Sequence, residues 1–205
     1  MSLWDMFTRG GSMMIPILIC SIIAVIIVIE RYLSLRKIRI NSRKFTLQIR
    51  SLLSHQRVDE AILLCKETPG PIAGVAKAAL VKKDRPREEI KEAIQSAGQA
   101  EVFHLEKYMG ILATVAGVAP MFGFLGTVTG MIKAFMQIQS RGGNVDASVL
   151  AGGIWEALIT TAAGLIVGIP ALIAYNWIQG KVEHHVFEMQ ESSNEFLDML
   201  QEKEA

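Results

Sequence analysis

Three long stretches without a charged residue dominate the sequence. No Asp, Glu, Lys or Arg occurs in residues 10–29, 108–132 or 157–180, although 20% of all residues are charged. A helix needs about 20 mostly apolar residues to cross a hydrocarbon core that is roughly 30 Å thick. Each stretch is long enough, and 51% of the chain is hydrophobic. We therefore predict an all-α membrane protein with three transmembrane helices.

The first apolar stretch has an alternative interpretation, a cleaved secretory signal. Such signals begin with a basic segment and end at a small-x-small cleavage site. Here Asp5 precedes the stretch, "VIIVIERYLSLRKIR" follows it, and no cleavage site is present, which favours a retained span. Before it, "MSLWDMF" fits either a short helix lying in the membrane interface or a frayed end anchored by Trp4.

Basic residues predict the orientation of the spans, since Lys and Arg remain mainly on the cytoplasmic side. Many follow the first span, beginning with Arg31, Arg36 and Lys37, whereas the link between the second and third spans carries only Arg141 beside Asp146. We predict a bacterial inner-membrane protein with a periplasmic N-terminus and a cytoplasmic C-terminus. Its segments are an N-terminal segment 1–12, spans 13–33, 107–136 and 150–178, a cytoplasmic helical domain 34–106, a periplasmic loop 137–149 and a cytoplasmic helical tail 179–205.

The cytoplasmic segments are predicted to be helical and to extend two of the spans. In 34–106 apolar residues recur at helical spacings, and "TPGP" at 68–71 interrupts the pattern. After Pro86 nothing stops a helix before Pro120, so we expect one continuous helix to about Ala134. Such a helix of around 50 residues would be roughly 75 Å long. A helical stalk would then project into the cytoplasm, and the third span would extend likewise into the tail.

The second and third spans each carry a face of small residues, because positions three or four apart lie on one side of a helix. Each face has one threonine near mid-span, Thr127 or Thr161. One interpretation is close helix packing in lipid. The other is that the faces surround something polar, either a water-filled path or a partner helix with a charged residue. The matching threonines and a nearby carboxylate favour the second. The other members are Pro120, Gly123, Gly130 and Ala134 in the second span, and Ala157, Gly164 and Gly168 in the third.

Glu156 is the first charged position of the third span. An ionisable side chain inside a span is costly and by default indicates function. Glu156 either reaches the headgroups or has a proton-carrying or structural role inside an assembly, and we favour the second hypothesis. Lys133 is interpreted as an interfacial residue that reaches the headgroups. Thr160 lies near the Glu156 face and is expected to hydrogen-bond that carboxylate or its own backbone.

Motifs of enzyme chemistry are missing from the sequence. It has no nucleophile triad, no phosphate-binding glycine loop and no metal-ligand spacing, and "GFLGTVTG" lies inside a span. Cys20 and Cys65 have no CxxC or Cys/His context, so both are interpreted as plain thiols. The four histidines are interpreted as solvated or packed side chains. We predict no enzyme activity, no cofactor and no nucleic-acid partner; membrane lipids surround the chain.

The second and third spans closely resemble the signature spans of the ExbB/TolQ/MotA proton-channel family. The resemblance is carried by "LATVAGVAPMFGFLGTVTGMIKAF" and "EALITTAAGLIVGIPALIAYN". The predicted topology, "IERY" at the end of the first span and the large cytoplasmic insert agree with it. MotA-type members are larger and have four spans, so three spans place the chain with the ExbB/TolQ branch.

The resemblance implies a homopentamer whose second and third helices line a central pore. Two copies of a single-span ExbD/TolR-type partner would insert there and supply the essential proton-carrying aspartate. By motif position Thr127 and Thr161 face that aspartate, and Glu156 is the family glutamate, viewed as part of the proton route or as a structural contact. Candidate proton-pathway residues are thus Thr127, Thr161, Glu156 and Thr160, with Pro120, Gly123, Gly130, Ala157, Gly164 and Gly168 on the pore face.

The function implied by the resemblance is a stator that converts proton-motive force into mechanical work. Protons are the coupling ion, and a TonB- or TolA-type transducer would receive the motion, for TonB-dependent transport, Tol-Pal function or another motor. Two other hypotheses stay open. A non-conducting membrane scaffold would use its small faces only for packing. A self-sufficient small transporter would need its own substrate site, for which only Glu156 lies near the correct depth.

Overall fold

The computed structural model describes residues 10–38, 40–140 and 147–201, with side chains described for 10–38, 40–140 and 151–200. Two segments lie outside these ranges: "MSLWDMF", predicted to be an interfacial helix or a frayed end, and residues 141–146 of the predicted periplasmic loop. Within them all regular structure is helical, in seven helices. They are α1 (Met14–Lys37), α2 (Ser42–Ser54), α3 (Val58–Glu67), α4 (Pro71–Val81), α5 (Arg87–Leu105), α6 (Met109–Ser140) and α7 (Ala147–Gln201).

Three helical stretches of the described chain are long and apolar enough to cross a membrane. By length and composition they are Met14–Lys37, Arg87–Ser140 and Ala151–Leu200. Each exposes large apolar side chains: Ile26 is 61% exposed and Ile166 is 68% exposed. Such surface is unfavourable in water and is the natural surface of a helix in hydrocarbon. In the described residues all regular structure is thus helical, with three candidate membrane-spanning helices, as predicted.

The chain divides into two compact units. The first consists of Met1–Ile29 and Tyr108–Trp177. Its described part contains the first part of α1, all of α6 and the first part of α7. Pro120 lies inside α6 and Pro170 inside α7. A proline removes one helical hydrogen bond, which membrane helices tolerate because neighbouring groups satisfy the freed carbonyl.

The second unit consists of Glu30–Lys107 and Ile178–Ala205 and has its own hydrophobic core. Side chains from α2, α3, α4 and α5 form most of this core. The rings of Phe45 and Phe196 meet edge to face with their centroids 6.5 Å apart, a favourable arrangement for aromatic pairs. The end of α7 therefore packs into the core, through Met189, Phe196, Leu197 and Leu200.

The interruption predicted at "TPGP" is present. Helix α3 ends at Glu67 and α4 begins at Pro71, a favoured first position because proline has no N–H to leave unpaired. Gly70 has a φ of 118°, which a residue with a side chain rarely adopts. The turn between the two helices therefore requires glycine at this position.

The expectation of one continuous helix from Pro86 to Ala134 is wrong. Helix α5 ends at Leu105 and α6 begins at Met109. Between them, Tyr108 has a φ of 66°, in the left-handed region that is costly for any residue with a Cβ atom. The hydrogen-bond pattern of α5 therefore ends before Tyr108, and that of α6 begins directly after it.

The end of α5 is capped by an arginine from the end of α1. Arg31 is 3% exposed, and its Nη1 donates hydrogen bonds to the carbonyl oxygens of His104 at 3.0 Å and Leu105 at 3.2 Å. The last carbonyls of a helix have no partner within it and need such donors. Glu30 accepts two further hydrogen bonds from the same guanidinium group, which fixes its orientation. The end of α5 is therefore stabilised by a residue 73 positions earlier in the chain.

We expect Arg31→Met to lower the free energy of unfolding by about 1–3 kcal/mol, because buried carbonyl oxygens lose their charged donor. Thermal unfolding in detergent, followed by circular dichroism, measures the loss. Arg57→Met is the control: the Arg57 side chain is 61% exposed and 3.6 Å from Glu60, so its removal should cost less than about 1 kcal/mol. Equal effects of the two substitutions would contradict the capping role of Arg31.

Both cysteines are free and buried, as expected for plain thiols. Burial raises the pKa of the Cys65 thiol to about 11. Because the thiolate is the reactive form, little of it is present near neutral pH. Cys65 therefore serves as a small apolar side chain in the core of the second unit.

Candidate functional site

Helices α6 and α7 contact each other backbone to backbone at two glycines of the first unit. A methyl group added at Gly164 would lie 2.7 Å from the carbonyl oxygen of Ala119 and 2.9 Å from the Cα atom of Gly123. A methyl group added at Gly123 would lie 3.0 Å from the carbonyl oxygen of Thr160. The two distances at Gly164 are shorter than real Cβ atoms show, and the distance at Gly123 is tighter than nearly all real Cβ contacts. Backbone atoms cannot move aside as a flexible side chain can. Only glycine allows this approach.

The contact continues along both helices through the other small residues. A methyl group at Gly168 would overlap the ring of Pro120. At the other end, a methyl group at Gly130 would lie 3.3 Å from the Cβ atom of Ala157. The two predicted small faces therefore pack against each other, as the packing interpretation expects of helices in lipid. The pore-facing role of these residues stays a prediction.

The two mid-span threonines have different surroundings. Thr161 is half-buried, and its hydroxyl donates to the carbonyl oxygen of Gly123 across the helix contact, at 3.0 Å. Thr127 is also half-buried, but its hydroxyl donates to Phe124 within its own helix. Thr161 thus places a polar group inside the contact between α6 and α7, whereas Thr127 keeps its hydroxyl bonded locally.

Thr160 is fully buried, and its hydroxyl lies 2.7 Å from the carbonyl oxygens of both Glu156 and Gly10. Of the two partners expected for it, the backbone is the one observed. Its side chain sits against Gly126 of α6, where an added methyl group would overlap it. No sequence pattern predicts the bond to Gly10, because that carbonyl lies 150 positions away.

Glu156 forms an ion pair with Lys133, for which the sequence predicts only an interfacial position. The Nζ atom of Lys133 lies 2.9 Å from Oε1 of Glu156, and the two side chains are 53% and 27% exposed. Gly11 lies against the same carboxylate and has a φ of 71°. The signal that could have found the pair is a charge of opposite sign near the same predicted end of two adjacent spans, Lys133 in the second and Glu156 in the third.

Comparisons with known proteins point to one family. A family model described as the MotA/TolQ/ExbB proton channel family matches residues 67–191, more than half of the chain. The chain is 30% identical to an ExbB homolog of Methanothermobacter thermautotrophicus over 183 residues, which cover 89% of this chain and 64% of that protein. It is 29% identical to the biopolymer transport protein ExbB of Neisseria meningitidis over 196 residues, 87% of each chain.

A shorter match with higher identity is the Tol-Pal system protein TolQ of Haemophilus influenzae. It is 42% identical over 105 residues, which cover 50% of this chain and 46% of that protein. The region matched by the family model contains all of α6, including its contact face, and the part of α7 that carries Glu156, Thr160 and Thr161. The family match thus covers most of a chain that has three apolar candidate spans. Two of these spans meet through glycine-rich faces, with a threonine hydroxyl between them. The chain belongs to the MotA/TolQ/ExbB proton channel family, as the motifs of its second and third spans implied.

Proposed function

We propose that this chain is an inner-membrane proton-channel subunit that converts proton-motive force into mechanical work for an envelope system. The observation that carries the proposal is the hydroxyl of Thr161, placed inside the glycine contact of α6 and α7 in a chain of the proton channel family. Relatives named for biopolymer transport and for the Tol-Pal system support a role of this kind.

In the proposed complex five copies of the chain surround a pore, and two copies of an ExbD/TolR-type single-span partner insert into it. The partner supplies an aspartate that takes up protons passing Thr127 and Thr161. A charged carboxylate in a medium of low dielectric constant strongly prefers polar neighbours, and neutralisation removes that preference. Protonation would therefore let the partner helix move between equivalent positions of the ring, and a TonB- or TolA-type protein would receive the motion.

The orientation in this proposal follows from the basic residues. The segment after α1 is rich in Lys and Arg, beginning with Arg31, Arg36 and Lys37. Since such residues stay mainly in the cytoplasm, the second unit would be cytoplasmic and the N-terminus periplasmic. The proton path would then start at the end of the spans where Lys133 and Glu156 lie.

A non-conducting membrane scaffold is the second candidate, and one observation favours it. The small faces of α6 and α7 pack against each other, and the hydroxyl of Thr161 already has an acceptor in Gly123. A scaffold needs these contacts and no proton path. The two candidates differ in their partner and in their proton conductance.

The proposal predicts co-purification with a single-span membrane protein encoded beside this chain. Native mass spectrometry of the detergent-extracted complex should give five copies of the chain with two copies of the partner. An unrelated single-span membrane protein, co-expressed in the same way, serves as the control and should not be retained. A monomer without a partner would contradict the proposed mechanism.

A further inference from the structure

Five residues from three separate parts of the chain meet at one end of the first unit. Gly10 and Gly11 precede α1, Lys133 lies in α6, and Glu156 and Thr160 lie one turn apart in α7. We call this group the clasp. Each of its contacts is specific in geometry, and only Glu156 and Thr160 belong to the predicted proton-pathway residues.

The first contact is the ion pair of Lys133 and Glu156, with 2.9 Å between Nζ and Oε1. At 27% exposure, Glu156 is largely withdrawn from solvent, and a partly buried charge is costly when its partner is removed. A carboxylate that relays protons must give up its partner in every cycle. A carboxylate that holds two helices together keeps it.

The second contact fixes the turn before α1. The buried hydroxyl of Thr160 lies 2.7 Å from the carbonyl oxygen of Gly10. The next residue, Gly11, has a φ of 71° and lies so close to Glu156 that a methyl group would overlap Oε1 of the carboxylate. Glycine is thus required at this position for its backbone conformation and for space. A side chain here would push the carboxylate away from Lys133.

We propose that Lys133 is the permanent counter-ion of Glu156, and that the clasp holds the start of α1 and the facing turns of α6 and α7 in one arrangement. Glu156, Lys133, Thr160 and Gly11 are then positioning residues. They act through the helix contact in which Thr161 lies. Glu156 itself does not carry the proton. The expected effect of the clasp on proton flux rests on the proposed function. Its expected effect on stability rests on the geometry alone.

The test is a double-mutant cycle on the purified complex, read as the melting temperature in detergent and as proton flux in liposomes. Lys133→Met and Glu156→Gln should each lower Tm by about 2–4 °C, the shift that a loss of about 1 kcal/mol causes in a chain of this size. The double variant should be no less stable than either single variant, since both remove the same contact. Strictly additive losses would overturn the clasp.

Proton flux separates a positioning role from proton transfer. If Glu156 positions the helices, Lys133→Met should lose most of the flux, as Glu156→Gln does. Lys133→Arg should retain it, and the exchanged pair Lys133→Glu with Glu156→Lys should recover much of it, because either arrangement restores the ion pair. If Glu156 relays protons, Lys133→Met keeps the flux of the unmodified protein and the exchanged pair stays as inactive as Glu156→Gln. That result would overturn the proposal.

Matched controls test the turn. Gly11→Ala should lower both Tm and flux, whereas Gly152→Ala should leave both unchanged, since no atom lies within 4 Å of a methyl group there. Thr160→Val should behave like Gly11→Ala, and Thr129→Val should not, because the hydroxyl of Thr129 bonds within its own helix. If the unmodified complex conducts no protons, the proposed function fails, and the Tm cycle still decides whether the clasp exists.

Discussion

Replacing Thr161 by valine is expected to abolish proton flux through the complex while the complex still assembles. Valine has nearly the same shape as threonine and lacks only the hydroxyl. The lost hydrogen bond to Gly123 is worth about 0.6 kcal/mol on average between membrane helices, which is too little to separate α6 from α7. A proton path would nevertheless lose a polar group in the middle of the membrane. Thr127→Val is expected to have the same effect.

Proton flux in liposomes and subunit counting by native mass spectrometry check this prediction together. Thr161→Ser restores the hydroxyl and should restore the flux. Thr114→Val is the matched control in α6, because its exposed hydroxyl bonds only to the carbonyl of Gly110 in the same helix. Wild-type flux in the valine variants at positions 127 and 161 would contradict the proposed path past these hydroxyls. No flux even in the unmodified complex would favour the non-conducting scaffold.

Gly164→Ala is expected to disrupt the first unit and with it the yield of intact complex. The new methyl group would lie 2.7 Å from the carbonyl oxygen of Ala119, so α6 and α7 would have to move apart. Overpacking of this kind costs about 1–3 kcal/mol. The gain of about 1 kcal/mol from replacing glycine by alanine in a helix does not offset the larger part of that range.

Membrane yield and the melting temperature in detergent measure the effect of Gly164→Ala. The control Gly117→Ala lies in α6, where a methyl group would meet no atom within 4 Å, and it should be neutral or slightly stabilising. If Gly164→Ala and Gly117→Ala gave the same yield and melting temperature, the backbone contact at Gly123 would not hold the two helices together.

The spans could be predicted from the sequence because the bilayer imposes a simple requirement. An apolar stretch of sufficient length without charges satisfies it, and residues 10–29, 108–132 and 157–180 do so. The small faces could also be predicted, since residues three or four apart share a face regardless of what covers it. Their mutual contact was one of two interpretations, because the same small residues suit helix packing and a polar path.

Other features depend on contacts between distant residues, which a local pattern does not contain. Helix α5 ends at Leu105 because Arg31, far earlier in the chain, supplies donors for its last carbonyls. The position of Lys133 in the sequence predicts contact with headgroups, and only the approach of α6 to α7 brings its ammonium group to Glu156. The roles of Gly126 and Gly11 cannot be predicted for the same reason. Each leaves room for a side chain of α7, Thr160 or Glu156, that lies far away in the sequence.

The close approach of Gly123 and Gly164 has a consequence for temperature. In lipid no water is released when helices meet, so their association depends on van der Waals contact and weak Cα–H···O bonds. The core around Phe45 and Phe196 in the second unit forms by the hydrophobic effect, which weakens on cooling. Cold therefore loosens the second unit while the glycine contact keeps its strength, and the two halves of one chain differ in their tolerance of low temperature.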